Sequence, residues 1–265
     1  MSTKYDHYKY LAFEHQGRVM TVYLNRPEKL NVFVQAMELE VCQFLHDSAL
    51  DKDFDVVVLT GKGRVFSAGG DIEGWMIPNV QDPNNVPPVP TKRTVFALLD
   101  YPKPIIAKLN GHAMGLGATI ALFCDVIFAA EHAKIADPHV KVGLSAGDGG
   151  AIIWPQLIGF AKAREYLMTG EAIPAPKAEQ IGLINYCVPA DELDAKVDEF
   201  VQRLLKGAMK AIVATKMTVN LGLRLVANAV MDASVAYELL TLHSPDHAEG
   251  VHAFLEKRDP VFTGK

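Results

Sequence analysis

The sequence predicts an α/β fold built around a parallel sheet. The run VVVLT (56–60) is continuously β-branched and apolar, as expected for a strand covered on both faces. A glycine-rich turn and a helical pattern follow it. The same order recurs over 103–131, where IIAKL, NGHAMGLG, ATIALF and DVIFAA correspond to a strand, a turn, a buried helix and a strand. Short buried strands that alternate with helices are typical of parallel α/β sheets.

The other elements of the first half follow from local patterns. AFEHQGRVMTVYLNRP (12–27) alternates around a glycine turn and predicts a hairpin. The segment 77–94 is rich in proline and asparagine, which disfavours a regular helix or a central strand. We therefore expect 77–94 to be a surface loop over a pocket.

The pattern beyond residue 160 is mainly helical. A helix ends at Gly170, and a short helix and a strand follow within 175–188. Asp191 is the expected N-cap of the next helix. Two further helices are predicted over 208–222 and 225–242, and the segment PDHAEGVHAFLEKRD (245–259) follows them. We place a domain boundary near 206, which gives an α/β core over 1–206 and a helical domain over 207–265.

Composition excludes several classes of protein. The 265-residue chain has a net charge of −5, so it lacks the basic character expected of a nucleic-acid-binding protein. The first residues contain no apolar segment typical of a secretion signal, and no apolar run approaches the ~20 residues that span a bilayer. Cys42, Cys124 and Cys187 are far apart in apolar surroundings, which predicts buried free thiols. The expectation is a cytoplasmic protein with no membrane and no nucleic acid as partner.

Two glycine turns carry the first functional signal. SAGGDI (67–72) and MGLGAT (114–119) each follow a strand and open a helix. Backbone N–H groups at a helix start lack internal partners, and glycine lets a ligand oxygen approach them. Two such turns directed at one point would bind a carbonyl oxygen and stabilise an oxyanion or enolate formed from it.

The order of residues around these turns resembles the crotonase superfamily, the enoyl-CoA hydratase/isomerase family. The matching stretches are LNRPEKLN (24–31), VVLTGKGRVFSAGGDI (57–72), KPIIAKLNGHAMGLGATIALFCD (103–125), YLMTGEAIPAPKAEQIGLIN (166–185) and EGVHAFLEKRDPVFTG (249–264). The resemblance implies a β-β-α spiral core and a helical C-terminal trimerisation region, assembled as a homotrimer or a dimer of trimers. It also implies an acyl-CoA substrate, with coenzyme A as part of the thioester and no tightly bound cofactor or metal. Carried over by position, the oxyanion donors are the N–H groups of Gly70 and Leu116.

The resemblance also gives candidate binding residues. Lys29 and Leu30 match the loop near the adenine end of coenzyme A. Phe254 and Lys257 match a segment that reaches a neighbouring subunit's ligand, with Lys257 as a charge for a phosphate. The alternative readings are a solvated lysine and an aromatic side chain in the core or at a subunit contact. Four further residues near the turns are candidates for the pocket: Ala68, Trp75, His112 and Thr119. The alternative for Trp75 is packing of a helix; His112 is also a third catalytic candidate, with a turn role as its alternative.

The family pattern is broken where the catalytic acids belong. Hydratases of the family use two glutamates to activate water, and this chain has Thr119 and His139 at those positions. The stretch IADPHVKVGLSAGDGG (135–150) provides His139 as a proton acceptor and Asp148 as a carboxylate that orients the imidazole. This pair resembles the 6-oxocamphor hydrolase branch, which cleaves β-diketones, although Phe33 stands where that branch has a tryptophan.

Three functions therefore remain open. The leading hypothesis is a hydratase- or isomerase-like enzyme that acts on an acyl-CoA thioester, with His139 and Asp148 in place of the glutamate pair; in this reading it hydrates, isomerises or cleaves its substrate hydrolytically. The second is a CoA-independent retro-Claisen hydrolase of β-diketones. The third is a catalytically inactive binding member of the family.

Overall fold

The computed structural model describes residues 4–82 and 90–264 and confirms the predicted α/β fold. The strands are β1 (Leu11–Gln16), β2 (Val19–Leu24), β3 (Val56–Gly61), β4 (Ile105–Leu109), β5 (Ala113–Met114), β6 (Val126–Ala130), β7 (Lys134–Ala136), β8 (Ile173–Pro174) and β9 (Tyr186–Val188). One sheet has the order β1-β2-β3-β4-β6-β9, and a smaller one has the order β5-β7-β8. β1 and β2 form the predicted antiparallel hairpin, while β2 through β9 of the larger sheet are parallel.

Helices cover both faces of the larger sheet. They are α1 (Gln35–Ser48), α2 (Ile77–Gln81), α3 (Thr91–Asp100), α4 (Leu116–Leu122), α5 (Gly150–Thr169), α6 (Ala175–Gln180), α7 (Leu193–Leu205), α8 (Met209–Leu242) and α9 (Pro245–Glu256). Every residue of β3 is buried. Val57 and Leu59 join the core shared with α1 and α3, whereas Val56 and Val58 pack in the core formed with α7. The continuous apolar run therefore reflects burial on both faces.

The sheet brings the two glycine turns together. β3 and β4 are parallel neighbours, so the segments that leave them start at the same edge. A bridge between Ser67 and Ala113 joins the two turns, and a second bridge joins Phe33 to Gly70. The fold thus fixes both turns against each other before any ligand binds.

The prediction of a loop over 77–94 is wrong at both ends of the segment. Ile77–Gln81 is helical and follows a π-helical turn over Ile72–Met76, and α3 already begins at Thr91. Pro78 lies in the first turn of α2, where a missing N–H costs no intrahelical bond. Residues 83–89 of this segment lie outside the described residues.

Two predictions in the C-terminal half also need correction. α7 begins at Leu193 after Glu192 and has no side-chain cap, so Asp191 is not its N-cap. The two helices predicted over 208–242 are one helix, α8, because Gly222 continues it at a cost of about 1 kcal/mol. The proposed boundary near 206 falls between α7 and α8 and stays a prediction.

The cysteines and the apolar segments also differ in part from expectation. Cys42 and Cys124 are buried free thiols as predicted, whereas Cys187 is only half-buried. α8 is long and apolar enough to cross a membrane by length and composition alone, contrary to the sequence expectation. A long helix of a soluble protein meets the same criterion, so this observation is weak evidence for a membrane span.

Candidate active site

Two backbone donors are aimed at one cavity. Gly70 and Leu116 both line it. The Gly70 N–H makes no hydrogen bond within the described residues, because the adjacent bonds of its bridge use Gly69 O and Asp71 N. Leu116 is the first residue of α4, so its N–H has no partner in the helix. These are the two donors that the sequence predicted, and the fold places them on the same cavity.

The cavity continues into a groove. The cavity has a volume of about 70 Å³, and its wall also contains Phe33, Trp75, His139 and Asp148. The groove has a volume of about 410 Å³ and shares Gly70 and His139 with the cavity. The groove wall includes Ala68, Phe254, Lys141 and Arg258. Phe254 thus lines a groove of its own chain, whereas the resemblance implied a neighbouring subunit's ligand.

The position of His139 is fixed by α9. His139 begins a 3-10 turn over His139–Val142, directly after Pro138. The carbonyl oxygen of Val142 accepts a hydrogen bond from Nδ1 of His247, at 2.6 Å. His247 is fully buried, and burial lowers the pKa of its imidazole. A neutral histidine from α9 therefore anchors the turn that presents His139.

A carboxylate that sequence reasoning missed holds the His139 ring. Nδ1 of His139 is hydrogen-bonded to Oδ1 of Asp137, the residue that follows β7. Nε2 lies 3.6 Å from Oδ2 of Asp148, which is within ion-pair range but too long for a hydrogen bond. The orienting role expected of Asp148 therefore falls to Asp137. Its signal in the sequence was the acidic residue two positions before His139, in the order D-P-H.

The electrostatic balance favours a protonated His139. Burial lowers the pKa of the imidazole, but the charges of Asp137 and Asp148 and the hydrogen bond to Asp137 outweigh it. The net effect raises the pKa of His139 well above its ordinary value. Burial likewise raises the pKa of Asp148, against the opposing effect of His139. His139 and Asp148 therefore influence each other's pKa, and the balance leaves the proton on the imidazole.

Asp148 is held on its other side by Thr119. Thr119 Oγ1 donates to Oδ1 of Asp148 at 2.8 Å, and the Gly150 N–H donates to the same oxygen at 3.2 Å. Oδ2 of Asp148 is buried and has no hydrogen-bond partner among the described residues. Thr119 therefore serves as a support for Asp148, and the free oxygen is available to a water or a substrate proton.

The glycines of the GDGG turn make room for acids. A Cβ at Gly150 would overlap the carboxylate of Asp137, and a Cβ at Gly147 would overlap the Cβ of Glu238. Glycine is required at both positions by close packing.

Two further acids line the cavity and were missed. Glu38 on α1 and Glu238 on α8 are 4% and 5% exposed. Glu38 lies on the buried face of α1 with Val41, Cys42 and Leu45. Glu238 falls in the buried stripe of α8: Ala227, Met231, Ser234, Glu238 and Leu242. Each glutamate occupies a position that the helical spacing of its apolar neighbours assigns to the core. This placement could have revealed both residues, because charged side chains are rarely buried without a role.

Several predicted binding residues lie away from the cavity and the groove. Lys29 is exposed, and its Nζ pairs with Glu73 at 2.7 Å. Leu30 and Lys257 are cap residues with left-handed backbone. His112 accepts a hydrogen bond from the Lys134 N–H at 3.1 Å, which matches the turn role that was its alternative. None of the four lines the cavity or the groove.

The His139–Asp137–Asp148 set also has the residue types of a metal site. The ligand atoms of Asp137, His139 and Asp148 all lie within 4.8 Å of one another. The two carboxylates, however, contact opposite nitrogens of the imidazole, so they do not converge on one point. This geometry fits shared protons better than a shared cation.

Gly70 and Leu116 line one cavity of this α/β fold together with His139 and Asp148. Main-chain donors beside acid/base side chains are typical of enzymes that stabilise an enolate or oxyanion. The model of the enoyl-CoA hydratase/isomerase family matches residues 14–265. The chain is 32% identical over 260 residues to 2,3-dehydroadipyl-CoA hydratase of Escherichia coli K12, covering 96% of this chain and 99% of that enzyme. It is 33% identical over 254 residues to 1,2-epoxyphenylacetyl-CoA isomerase of the same organism, covering 93% and 95%.

Solved structures agree with the sequence comparison. An enoyl-CoA hydratase from Mycobacterium avium subsp. paratuberculosis K-10 superposes with a TM-score of 0.86 at 30% identity, covering 96% of this chain and 99% of that one. The chain belongs to the enoyl-CoA hydratase/isomerase family of the crotonase superfamily.

Proposed function

We propose that this protein is an enzyme that acts on an acyl-CoA thioester by way of a thioester enolate. The observation that carries the proposal is the pair of unpartnered N–H groups, Gly70 and Leu116, on the same cavity as His139. Such donors stabilise negative charge on a carbonyl oxygen, and one of them is worth about 3 kcal/mol in a transition state.

The lining of the groove supports coenzyme A as the carrier of the acyl group. It leads away from Gly70 and His139, and it offers the apolar wall of Ala68 and Phe254 together with the cations Lys141 and Arg258. Arg258 already pairs with Glu249 and Glu256, whereas Lys141 forms no ion pair within the described residues. We therefore assign the groove to the coenzyme A arm and Lys141 to a phosphate.

The His139–Asp137–Asp148 set handles water in this proposal. The unpartnered Oδ2 of Asp148 accepts a proton from water. The His139 imidazolium stabilises the negative charge that develops on the water oxygen. The water oxygen then adds to the β-carbon of an enoyl thioester while the electron pair of the double bond moves to the thioester oxygen. The set thus replaces the water-activating acids that the family places at Thr119 and His139.

The test is turnover of crotonyl-CoA by the purified protein. We expect hydration, with loss of about 100-fold or more in His139→Gln. Hydration at an unchanged rate in that variant would contradict the role of the set. A protein that binds acetyl-CoA in calorimetry but converts no thioester would instead be the inactive binding member.

A second candidate function is retro-Claisen cleavage of a β-keto thioester or a β-diketone. The observation that favours it is the set itself, because His139 stands at one of the two glutamate positions of the hydratases and lies beside Asp148. Water would add to the β-carbonyl carbon, and the bond between the α- and β-carbons would break toward the enolate. Cleavage of a cyclic diketone without measurable binding of acetyl-CoA would establish the CoA-independent form.

We also propose that the enzyme is cytoplasmic and forms a homotrimer or a dimer of trimers. The exposed apolar side chains of α8 support self-association.

A further inference from the structure

The mechanism above leaves one proton transfer without a residue. In hydration the enolate must take a proton at its α-carbon, and in retro-Claisen cleavage the enolate that leaves must do the same. The His139–Asp137–Asp148 set is occupied with the water in both cases. A second proton-exchanging group on the same cavity would serve the α-carbon.

Glu38 is a buried carboxylate on that cavity, and it comes from a different element. It belongs to α1, whereas the water-handling set belongs to the segment between β7 and α5. Its side chain lines the cavity together with Gly70 and Leu116. Its Oε1 accepts a hydrogen bond from Thr94 Oγ1 at 2.9 Å, which fixes the carboxyl group.

The surroundings of Glu38 keep it able to exchange a proton near neutral pH. Burial raises its pKa to about 7, while hydrogen bonds from Thr94 and Thr91 lower it and the charge of Asp148 raises it. Glu238 lies close enough for the two acids to influence each other, and burial raises the pKa of Glu238 to about 8. A carboxyl group poised near the working pH suits acid/base chemistry better than one at its ordinary value.

We propose that Glu38 is the acid/base residue that moves the proton at the substrate's α-carbon. This inference rests on the proposed function. In the forward direction the Glu38 carboxylic acid gives its proton to the α-carbon: the carbon–carbon double-bond pair of the enolate forms the new C–H bond, and the pair on the enolate oxygen restores the carbonyl. In reverse, the Glu38 carboxylate takes the α-proton, the C–H pair forms the carbon–carbon double bond of the enolate, and the carbonyl pair moves onto the oxygen at Gly70 and Leu116.

The reverse step gives a direct test, because it needs no water addition. Butyryl-CoA incubated with the protein in D₂O should exchange its α-protons for deuterium. NMR or mass spectrometry measures the rate of this exchange. We expect Glu38→Gln to slow this exchange by about 100-fold or more, while calorimetry shows unchanged binding of acetyl-CoA. His139→Gln should lose hydration of crotonyl-CoA.

The pH dependence separates a chemical role from a structural one. Exchange requires the carboxylate form, so the wild-type rate should rise with pH through about 7. Thr94→Val removes a hydrogen bond that lowers the pKa of Glu38, so the rise should move to higher pH without disappearing. A merely structural Glu38 would show no such shift. Asp232→Asn is the matched control, because Asp232 is exposed on α8 and pairs with Lys92.

The outcomes are distinct. Exchange in the wild type that survives unchanged in Glu38→Gln would overturn this inference alone and leave the proposed function standing. A wild-type protein that neither exchanges α-protons nor converts any enoyl- or 3-oxoacyl-CoA would overturn the proposed function and this inference with it.

Discussion

At the scale of single residues, the site depends on which carboxylate holds His139. Asp137 bonds Nδ1 and raises the pKa of the ring, so Asp137→Asn should bring that pKa back toward its ordinary value. We expect the hydration rate to fall by about 100-fold. In the pH profile of kcat/KM, the fall at high pH that reflects the loss of the His139 proton should move to lower pH. The same profile measures both effects, and a fall at unchanged pH would show that Asp137 does not control the ring.

The burial of Glu238 predicts a pH-dependent stability. Burial raises its pKa to about 8, so the folded protein holds a proton that the unfolded chain releases near pH ~4.3. The stability from that proton is present at low pH and is lost as pH rises through about 8. Glutamine at position 238 cannot ionise, so the unfolding free energy of Glu238→Gln relative to wild type should rise by about 4 kcal/mol between pH 5 and pH 9.

Urea unfolding at the two pH values measures this difference. Asp232→Asn on the same helix should show no comparable change, since Asp232 is exposed. A Glu238→Gln variant whose stability relative to wild type is the same at pH 5 and pH 9 would show that Glu238 ionises freely in the folded protein.

At the scale of elements, the GDGG turn links backbone packing to the electrostatics of the set. Gly150→Ala places a methyl group against the Asp137 carboxylate, so we expect Asp137 to move and His139 to lose its partner. The expected cost is about 1–3 kcal/mol in stability and a large loss of hydration activity.

Gly222→Ala is the matched control for that substitution. Gly222 lies inside α8 with open space around it, so alanine should stabilise the protein by about 0.5–1 kcal/mol without a change in activity. Thermal unfolding and the crotonyl-CoA assay test both variants. A fully active Gly150→Ala protein would argue against the tight packing of Asp137.

The same elements show what the sequence could and could not predict. β3 and the two glycine turns were readable because burial on both faces and a strand–turn–helix order leave local patterns. The ends of α2 and α3 were missed because Pro78 fits a first helical turn as readily as a loop. α8 was divided because one glycine weakens a helix, while packing along a long apolar stripe decides whether it continues.

The acids of the site were harder to predict than the turns. Glu38 and Glu238 are separated by 200 positions in the chain, and only the folded packing of α1 and α8 brings them to one cavity. Asp137 lay next to a recognised histidine, but which aspartate reaches Nδ1 depends on the 3-10 turn after Pro138. Tertiary geometry therefore decides the roles that spacing leaves open.

At the scale of the whole molecule, the surface of α8 indicates that copies of the chain associate. Large apolar side chains are exposed along it: Val219, Leu221, Leu225, Tyr237 and Leu240. Such a surface is more typical of a subunit contact than of a monomer's exterior. Leu225, at 71% exposure, is the most direct probe, and Leu225→Glu should weaken the proposed trimer. Sedimentation measures the effect.

Leu50→Glu is the control for assembly. Leu50 follows α1 and is 89% exposed, so the same change there should leave the oligomer intact. A wild-type protein that sediments as a monomer, or a Leu225→Glu variant that assembles normally, would contradict the role of α8.

The central claim is that one thioester carbonyl lies between two main-chain donors beside the His139 set. A crystal structure with a bound, unreactive acyl-CoA analogue tests it most directly. The account predicts the carbonyl oxygen about 2.7–3.1 Å from both the Gly70 and the Leu116 nitrogen, with the acyl carbons facing His139 and Glu38. A carbonyl oxygen bound elsewhere, with those two nitrogens left without a ligand, would contradict it.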